Sequence, residues 1–417
     1  MKFFKDQGLE DLPTNLRVGL YFFSRMHHPL TSISWLFKIL LLYVLSRLLY
    51  PIVKRRGREK PVVSFDSYYY TGNAKAVYET MRELHPEYEY YWIARNIKTF
   101  RDLRNQGERV FLAYSPLGVI WYLKTDVWVR VQTGIGVFSF LPHRNYKVIH
   151  LKHGVGPKGS MPSRKDFDMH DAWCVPSDFI KKRHIELWGA PAEKLYVTGF
   201  PRMDYLLRYL STPREKLLME IGVKGDGRII LFAPTFDIGL WPWGDPYSGF
   251  EELCRFCREK KVILILRLHP FTRINRRRLK KIINKYKESV YWLDMSVEPD
   301  TMKLLAIADI LITDWSSIYT DYFLTRRPII YLEVNLEYFT RERGKPEVPI
   351  EYRAGEIVRD ENSFFKTLEL VLTKGNRFRE KQEELLSIIH GDVDGNSSKR
   401  VIELIDHLLT DVFSNRR

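Results

Sequence analysis

The stretch Lys147-Val-Ile-His-Leu-Lys-His-Gly-Val-Gly-Pro-Lys-Gly-Ser160 holds the plan of the molecule. A short, mostly apolar run, Val148–Leu151, gives way to Lys152-His153-Gly154, and three glycines, a proline, two lysines and a serine crowd Lys152–Ser160. This reads as a strand running into a glycine-rich turn, with a histidine at the strand's C-terminal lip. Glycines let backbone N–H groups come close to an anion, and lysines add charge. Histidine is the side chain suited to taking a proton near neutral pH. The turn is not a Walker loop: that motif wants Lys directly after its second conserved glycine, and here Lys158 precedes Gly159. A turn with a hydrogen-bonded histidine is the plainer reading of the same residues.

Working outward, strands and helices alternate. Val62–Phe65, Tyr90–Ile93, Val110–Tyr114 and Val127–Gln132 read as strands, with helices over Asn73–Leu84, Phe100–Gln106 and Leu117–Leu123. Ala172–Pro176 and Leu195–Thr198 continue the series around a helix at Phe179–Leu187. The rhythm repeats with strands Ile229–Ala233, Val262–Leu268, Val290–Leu293, Ile310–Thr313 and Pro328–Glu333, separated by helices Phe250–Lys261, Ile274–Tyr286, Asp300–Ala308 and Ser317–Leu324. Such alternation implies parallel pairing, and the near-unbroken aliphatic run of Val262–Leu268 suits a strand covered on both faces. Two successive doubly wound, Rossmann-like domains are the expected α/β architecture. Arg208–Val223 is expected to be a connecting helix between them and Phe378–Phe413 a helical tail. The divisions drawn are 1–60, 61–210, 211–375 and 376–417.

A chain of 417 residues has room for two such domains, and 45% apolar residues exclude a disordered protein. A formal charge of +15 suits an anionic partner. Three cysteines cannot make a disulfide framework, and the C-x-x-C of Cys254 and Cys257 lies inside a helix without a second ligand pair. The segment Ile33–Val53 is apolar but broken by Lys38 and Arg47, leaving its longest uncharged run, Ile39–Ser46, far short of the roughly 20 residues a span requires. The basic cluster Lys54-Arg55-Arg56-Gly57-Arg58-Glu59-Lys60 follows at once. An apolar helix with a basic end is expected to attach to an anionic membrane surface as a monotopic or peripheral element at the cytoplasmic face; a true span with snorkelling charges and a buried helix of the soluble fold are the alternatives. No signal-peptide pattern is present.

In open parallel sheets ligands bind beyond the carboxyl ends of strands. Those ends carry His153-Gly154, Gly199-Phe200-Pro201-Arg202-Met203-Asp204, Pro234-Thr235, His269-Pro270 and Asp314-Trp315-Ser316-Ser317. Ser316 and Ser317 open a helix, where hydroxyls either cap it or hold a phosphate against the positive end of its dipole. His269 is either a turn histidine fixed by Pro270 or a donor to a pyrophosphate oxygen. Asp321 lies one turn after Ser317, and either faces the same ligand or pairs with a lysine. No Asp-x-Asp stands in a strand-end loop, so no tightly bound metal is expected.

Taken together, His153-Gly154 with Lys158, Gly199-x-Pro201-Arg202-x-Asp204, Ala233-Pro234-Thr235, His269-Pro270, Thr313-Asp314-Trp315-Ser316-Ser317-x-x-x-Asp321, and Tyr338 with Gly344 resemble the CDP-glycerol glycerophosphotransferase family, which includes teichoic-acid primases and polymerases. The resemblance runs over roughly Val62–Arg400. It implies a GT-B-like fold with an interdomain cleft, a CDP-glycerol or other CDP-polyol donor, a lipid-linked or polymeric acceptor, and a membrane-associated N-terminus. It also implies two essential histidines, which fall on His153 and His269, with Gly154, Lys158, Arg202, Asp204, Thr235, Asp314, Ser316, Ser317 and Asp321 binding substrate. The sequence departs from the family at Lys152, where a Trp is usual, at Val155, where a Thr is usual, and at Thr235-Phe236-Asp237, where Thr-Trp-Arg is frequent. No tightly bound cofactor is implied.

On this expectation an acceptor hydroxyl attacks the β-phosphorus of the donor, CMP leaves, and His153 takes the proton. A nucleotide-sugar glycosyltransferase of GT-B type would share fold and cleft. A basic nucleic-acid binder is disfavoured, because the polar residues gather at strand ends and no recognised RNA or DNA module is present.

Overall fold

The computed structural model describes residues 29–55, 60–67, 69–131, 146–159, 162, 164–339 and 344–414. Helix α1 (Pro29–Arg55) leads into the first of two sheets. Among the described residues that sheet holds β1 (Val62–Ser67), β2 (Glu89–Ala94), β3 (Val110–Leu112), β4 (Val127–Arg130), β5 (Lys147–His150), β6 (Ala172–Val175) and β7 (Leu195–Val197), in the order β3-β2-β1-β4-β5-β6-β7. Helices α2 (Gly72–Leu84), α3 (Ile97–Asn105), α4 (Pro116–Lys124), α5 (Arg164–Asp168) and α6 (Asp178–Trp188) run between its strands. Next come α7 (Pro201–Leu210) and α8 (Arg214–Ile221).

The second sheet holds β8 (Ile229–Phe232), β9 (Ile263–Leu266), β10 (Val290–Trp292), β11 (Ile310–Thr313), β12 (Ile329–Leu332) and β13 (Glu356–Val358), in the order β10-β9-β8-β11-β12-β13. Its helices are α9 (Pro246–Glu259), α10 (Arg276–Lys285), α11 (Thr301–Ile307), α12 (Ile318–Tyr322) and α13 (Glu361–Lys374), and α14 (Arg379–His390) and α15 (Ser397–Ser414) follow. Both sheets are parallel throughout. Each reverses its winding once, between β1 and β4 and between β8 and β11. These are the switch points at which α/β proteins hold ligands.

Local chemistry explains the elements. Asn, Ser or Asp stands before many helices and its side chain accepts an amide of the first turn: Asn96 from Thr99, Ser115 from Gly118, Ser177 from Ile180, Asp245 from Ser248, Asp360 from Ser363. The central strands β1, β4, β8, β9, β11 and β12 are buried along their whole length, which is why β8, β9, β11 and β12 read as nearly unbroken apolar runs, while β1 and β4 bury Ser64, Asp66, Ser67 and Arg130 as well. One apolar core passes between the lobes, uniting Phe200, Met203 and Leu206 with Leu304, Leu305 and Phe323. The lobes are therefore joined by packing as well as by polar ties.

Two expectations are corrected. Arg208–Val223 is not one helix. The chain breaks at Ser211–Pro213 and restarts as α8, because Pro213 cannot continue a helix. The tail is likewise split, at Gly391, whose φ of 66° ends α14. Its second helix packs on the first lobe, where Val401, Ile402, Ile405 and Leu408 join the core of Val63, Phe65 and Ile149. Strand β13 and helix α13 were not foreseen. Glu356–Val358 is only three residues long at a sheet edge and has no alternation to betray it.

Helix α1 packs on α4 through a face that includes buried Leu42 and Ser46. Leu40, Leu41, Val44, Leu48 and Ile52 are exposed along the other side. No described helix is long and apolar enough to cross a membrane.

Candidate active site

The glycine-rich turn after β5 is held from three directions. Lys152 adopts a left-handed backbone with φ 53°, which bends the chain as it leaves the strand. The Asn73 side chain, buried near the start of α2, donates to the carbonyls of Leu151 at 3.1 Å and Lys152 at 2.9 Å, and accepts the Arg202 N–H at 3.0 Å. From the second lobe, the Val348 N–H reaches the Gly156 carbonyl at 3.1 Å and the Thr320 hydroxyl reaches that of Val155 at 3.1 Å. The turn and the second lobe touch so closely that a Cβ at Gly154 would lie 2.6 Å from Ser317 Oγ. One at Gly156 would lie 3.0 Å from the Ser317 Cα and Cβ atoms.

Three ion pairs cross between the lobes around this turn. Lys158 Nζ lies 2.5 Å from Asp237 Oδ2, and the ammonium sits over the rings of Phe236 and Phe339. Arg202 offers a fork to Asp321, Nε to Oδ2 at 2.8 Å and Nη2 to Oδ1 at 2.7 Å, with both side chains buried. Its Nη1 has no hydrogen-bond partner. Lys152 meets Glu347 at 2.5 Å, and His184 Nε2 closes the cluster at 3.2 Å from Lys152 Nζ and 3.4 Å from Glu347 Oε2.

His153 lies within the turn these contacts hold and is exposed. Enclosure by the two lobes lowers its pKa, the cations of Lys152 and Arg202 lower it further, and Glu347 and the Val131 backbone oppose the shift. His269, after β9 on the second lobe, lies close enough for His153 to act on its titration. Desolvation, then Lys158, bring it to about 4, with Asp237 opposing. Its Nδ1 accepts the Phe271 N–H at 3.1 Å, so the neutral ring carries its proton on Nε2 and presents a donor there. Phe236 and Phe271 pack on the ring. Two imidazoles, one on each lobe and each with a lowered pKa, thus lie near one another.

The remaining residues from the strand ends fall into two groups. Ser316 and Ser317 are half-buried against the turn, where Ser316 Oγ accepts the Ile318 N–H at 3.4 Å and Ser317 makes no side-chain cap. Helix α12 behind them has only five residues, so little dipole stands there. Thr235, Asp314, Asp321 and Asp204 do internal work. Asp314 accepts both the amide, at 2.9 Å, and the hydroxyl of Thr235, tying the loops after β8 and β11 across the switch point. Burial raises the Asp314 pKa against the opposing pull of Thr235 and Lys158. Asp321 pairs with an arginine of the first lobe. Asp204 accepts the amides of Ser397 at 3.1 Å and Ser398 at 2.7 Å, so it caps α15 from 193 residues upstream in sequence.

Asn73, His184 and Glu347 were missed by sequence reasoning. Asn73 opens a helix like any polar residue, and neither His184 nor Glu347 has a neighbour in sequence that marks it. Gly344 has a left-handed φ of 105°, and Tyr338 is exposed. Among the described residues no group of three or more His, Cys, Asp or Glu side chains is arranged to hold a metal ion. Cys254 and Cys257 are free and buried in α9.

The fold is that of a two-lobed α/β protein with a histidine beyond a strand end of each lobe. Residues 48–407 match the family described as CDP-glycerol:poly(glycerophosphate) glycerophosphotransferase, and the chain belongs to that family. It is 25% identical over 356 residues to a teichoic acid poly(ribitol-phosphate) polymerase of Bacillus spizizenii, covering 80% of this chain and 54% of that one. It is 24% identical over 400 residues to a teichoic acid poly(glycerol phosphate) polymerase of the same organism, covering 87% and 96%. The chain thus spans about half the length of the first of these relatives and nearly all of the second. A solved structure of the wall teichoic acid polymerase TagF shares the fold, with a TM-score of 0.69 at 18% identity over 91% of this chain and 97% of that one.

Proposed function

We propose that this chain transfers a polyol-phosphate unit from CDP-glycerol, or a related CDP-polyol, to a hydroxyl of a lipid-linked or polymeric acceptor in the synthesis of a teichoic-acid-like envelope polymer. The observation that carries the reading is the pair of histidines lying near one another, one on each lobe and each with a lowered pKa, in a chain of this family. The acceptor hydroxyl attacks the β-phosphorus. A bond forms between that oxygen and phosphorus, and the bond from phosphorus to the oxygen bridging the two phosphates breaks. CMP leaves with the electron pair, and the hydroxyl proton passes to His153. A base poised below its ordinary pKa is unprotonated at neutral pH and ready for that step. His269 Nε2–H, held outward by the Phe271 contact to Nδ1, donates to a diphosphate oxygen as charge builds on the leaving group. Lys158 and the hydroxyls of Ser316 and Ser317, half-buried beside the turn, meet the donor's negative charge, while Arg202, buried and paired with Asp321, ties the two lobes together. Reactions of this kind depend chiefly on positioning and charge stabilisation.

The two-lobed arrangement is of GT-B type. Attachment to the cytoplasmic face of an anionic membrane is supported by the outward apolar stripe of α1, Leu40, Val44, Leu48 and Ile52, followed in sequence by the basic residues of Lys54–Lys60. The test is purified protein incubated with CDP-glycerol, CDP-ribitol and UDP-sugars, with and without membranes, reading released nucleotide. CMP release from a CDP-polyol that rises when acceptor membranes are added is the expected result. Release from UDP-sugars alone overturns the reading in favour of a glycosyltransferase.

A further inference from the structure

Lys152 stands out because the reaction as written gives it nothing to do, yet a large part of the site's order converges on it. It is a non-glycine residue in a left-handed backbone, φ 53°, immediately before His153. Its carbonyl and that of Leu151 are both held by Asn73. Its side chain is buried, sitting over the Trp188 ring at 5.1 Å. There it meets Glu347, which belongs to the segment between β12 and β13 and so to the opposite lobe. That segment is itself fastened to the first lobe, because Arg183 donates to the carbonyls of Pro346 at 3.0 Å and Glu347 at 3.2 Å. Val348 also pairs with Gly156. A strap from the second lobe thus reaches across and takes hold of the residue beside the histidine.

A left-handed non-glycine residue persists only where its surroundings over-determine it, and such residues gather at functional sites. A buried ion pair is weak evidence for stability, since apolar residues of similar volume commonly serve as well. Here the pair brings a different benefit. With Lys152 buried and anchored on one side of the turn, the next side chain, that of His153, is left exposed.

We infer that Lys152 is a positioning residue for His153, anchored across the lobes by Glu347, so that the histidine is held in its exposed position only while the strap from the second lobe is in place. The inference rests on the reading of His153 as the base. The charged groups facing His153 are Lys152 and Arg202 from its own lobe and Glu347 from the other, with His269 also on the other lobe. Lys152 is the nearest cation in sequence, and its field opposes protonation of the imidazole.

The test uses the full chain, with Lys152→Met, Glu347→Gln and the double variant, the last of which removes both charges together and leaves no unpaired buried ion. Two readouts separate positioning from a merely structural role. The first is steady-state CMP release from CDP-glycerol with acceptor membranes. Each single variant is expected to lose about 10²-fold in kcat, the scale of a misplaced reacting group, with KM for CDP-glycerol little changed. The double is expected to fall no further than the worse single, because both changes break one device. The second is NMR titration of the His153 imidazole without substrate, its signal assigned with His153→Gln. Its midpoint is expected to move to higher pH in Lys152→Met, and by less in the double variant, where an anion is lost as well.

A His153 midpoint that stays in place in both Lys152 variants, or a fully additive loss in the double, overturns the inference. Failure of the underlying reading looks different: a folded His153→Ala that keeps its turnover removes the base assignment while leaving the titration result intact.

Discussion

The two histidine-bearing rims are built in opposite ways. His153 sits on a turn fixed by the Asn73 amide, by close glycine contacts to Ser317, and by lysines paired on both sides to carboxylates of the other lobe. His269 sits on a loop whose neighbours Pro270 and Phe271 are exposed, held by the Phe271 N–H on its Nδ1, by the Thr272 N–H on its carbonyl at 2.9 Å, and by two rings. A group that must meet a hydroxyl in a narrow geometry gains from a rigid mount, whereas a donor to a spread-out diphosphate tolerates more freedom. The difference fits the proposed division, in which the first lobe carries the demanding step and the second the charge-stabilising one.

The comparison can be broken most directly at its rigid side. His153→Ala is expected to lose CMP release by about 10²–10⁴-fold, with the circular dichroism spectrum and thermal midpoint unchanged. Asp321→Ala leaves the buried Arg202 charge uncompensated and is expected to cost about 3–5 kcal/mol of stability, read by denaturant unfolding. His269→Ala, on the looser rim, is expected to lower kcat by about 10²–10³-fold, as for one donor to a developing anion. His269→Gln, which keeps an N–H donor, should recover part of it. The two rims would be ranked wrongly if His269→Ala proved the more damaging of the histidine changes.

Acid sharpens the same contrast through stability. His184 and His390 are buried and neutral, each brought to about 4 chiefly by burial, and their unfolded value is about 6.5. Between those values the unfolded chain binds more protons. Stability is therefore full above about 6.5 and falls as pH drops towards 4. Thermal midpoints measured from pH 7.5 to pH 4.5 should decline, and His184→Gln should flatten part of that decline. Asp204→Ala is expected to have the smallest effect, about 1 kcal/mol for a lost helix cap, again by unfolding, with kcat unchanged.

The architecture was legible because parallel sheets buried on both faces write themselves as aliphatic runs, and Val262–Leu268 and Ile310–Thr313 could hardly be anything else. The strand ends were legible for the same reason: His153, His269 and Ser316-Ser317 follow such runs directly. What the sequence withheld is partnership. Nothing near Arg202 announces Asp321, 119 residues away, and nothing near Lys152 announces Glu347, 195 residues away. Polar residues at strand ends were all read towards a ligand, yet Asp204, Asp314 and Asp321 spend their carboxylates inside the protein, on a helix start, a threonine and an arginine. Composition cannot separate these uses, because a buried carboxylate and a ligand-binding one look alike until their neighbours are known.

Helix α15 carries a consequence for how the protein is made. It completes the core of the first lobe, and its start is capped from a strand end far upstream. On a ribosome, the second lobe's strands emerge before that helix does. The half synthesised first therefore waits for a helix delivered after the other half, and the part of its core that Val401, Ile402, Ile405 and Leu408 fill stays incomplete on the nascent chain in the meantime. Synthesis of the last residues thus closes the core of the first lobe.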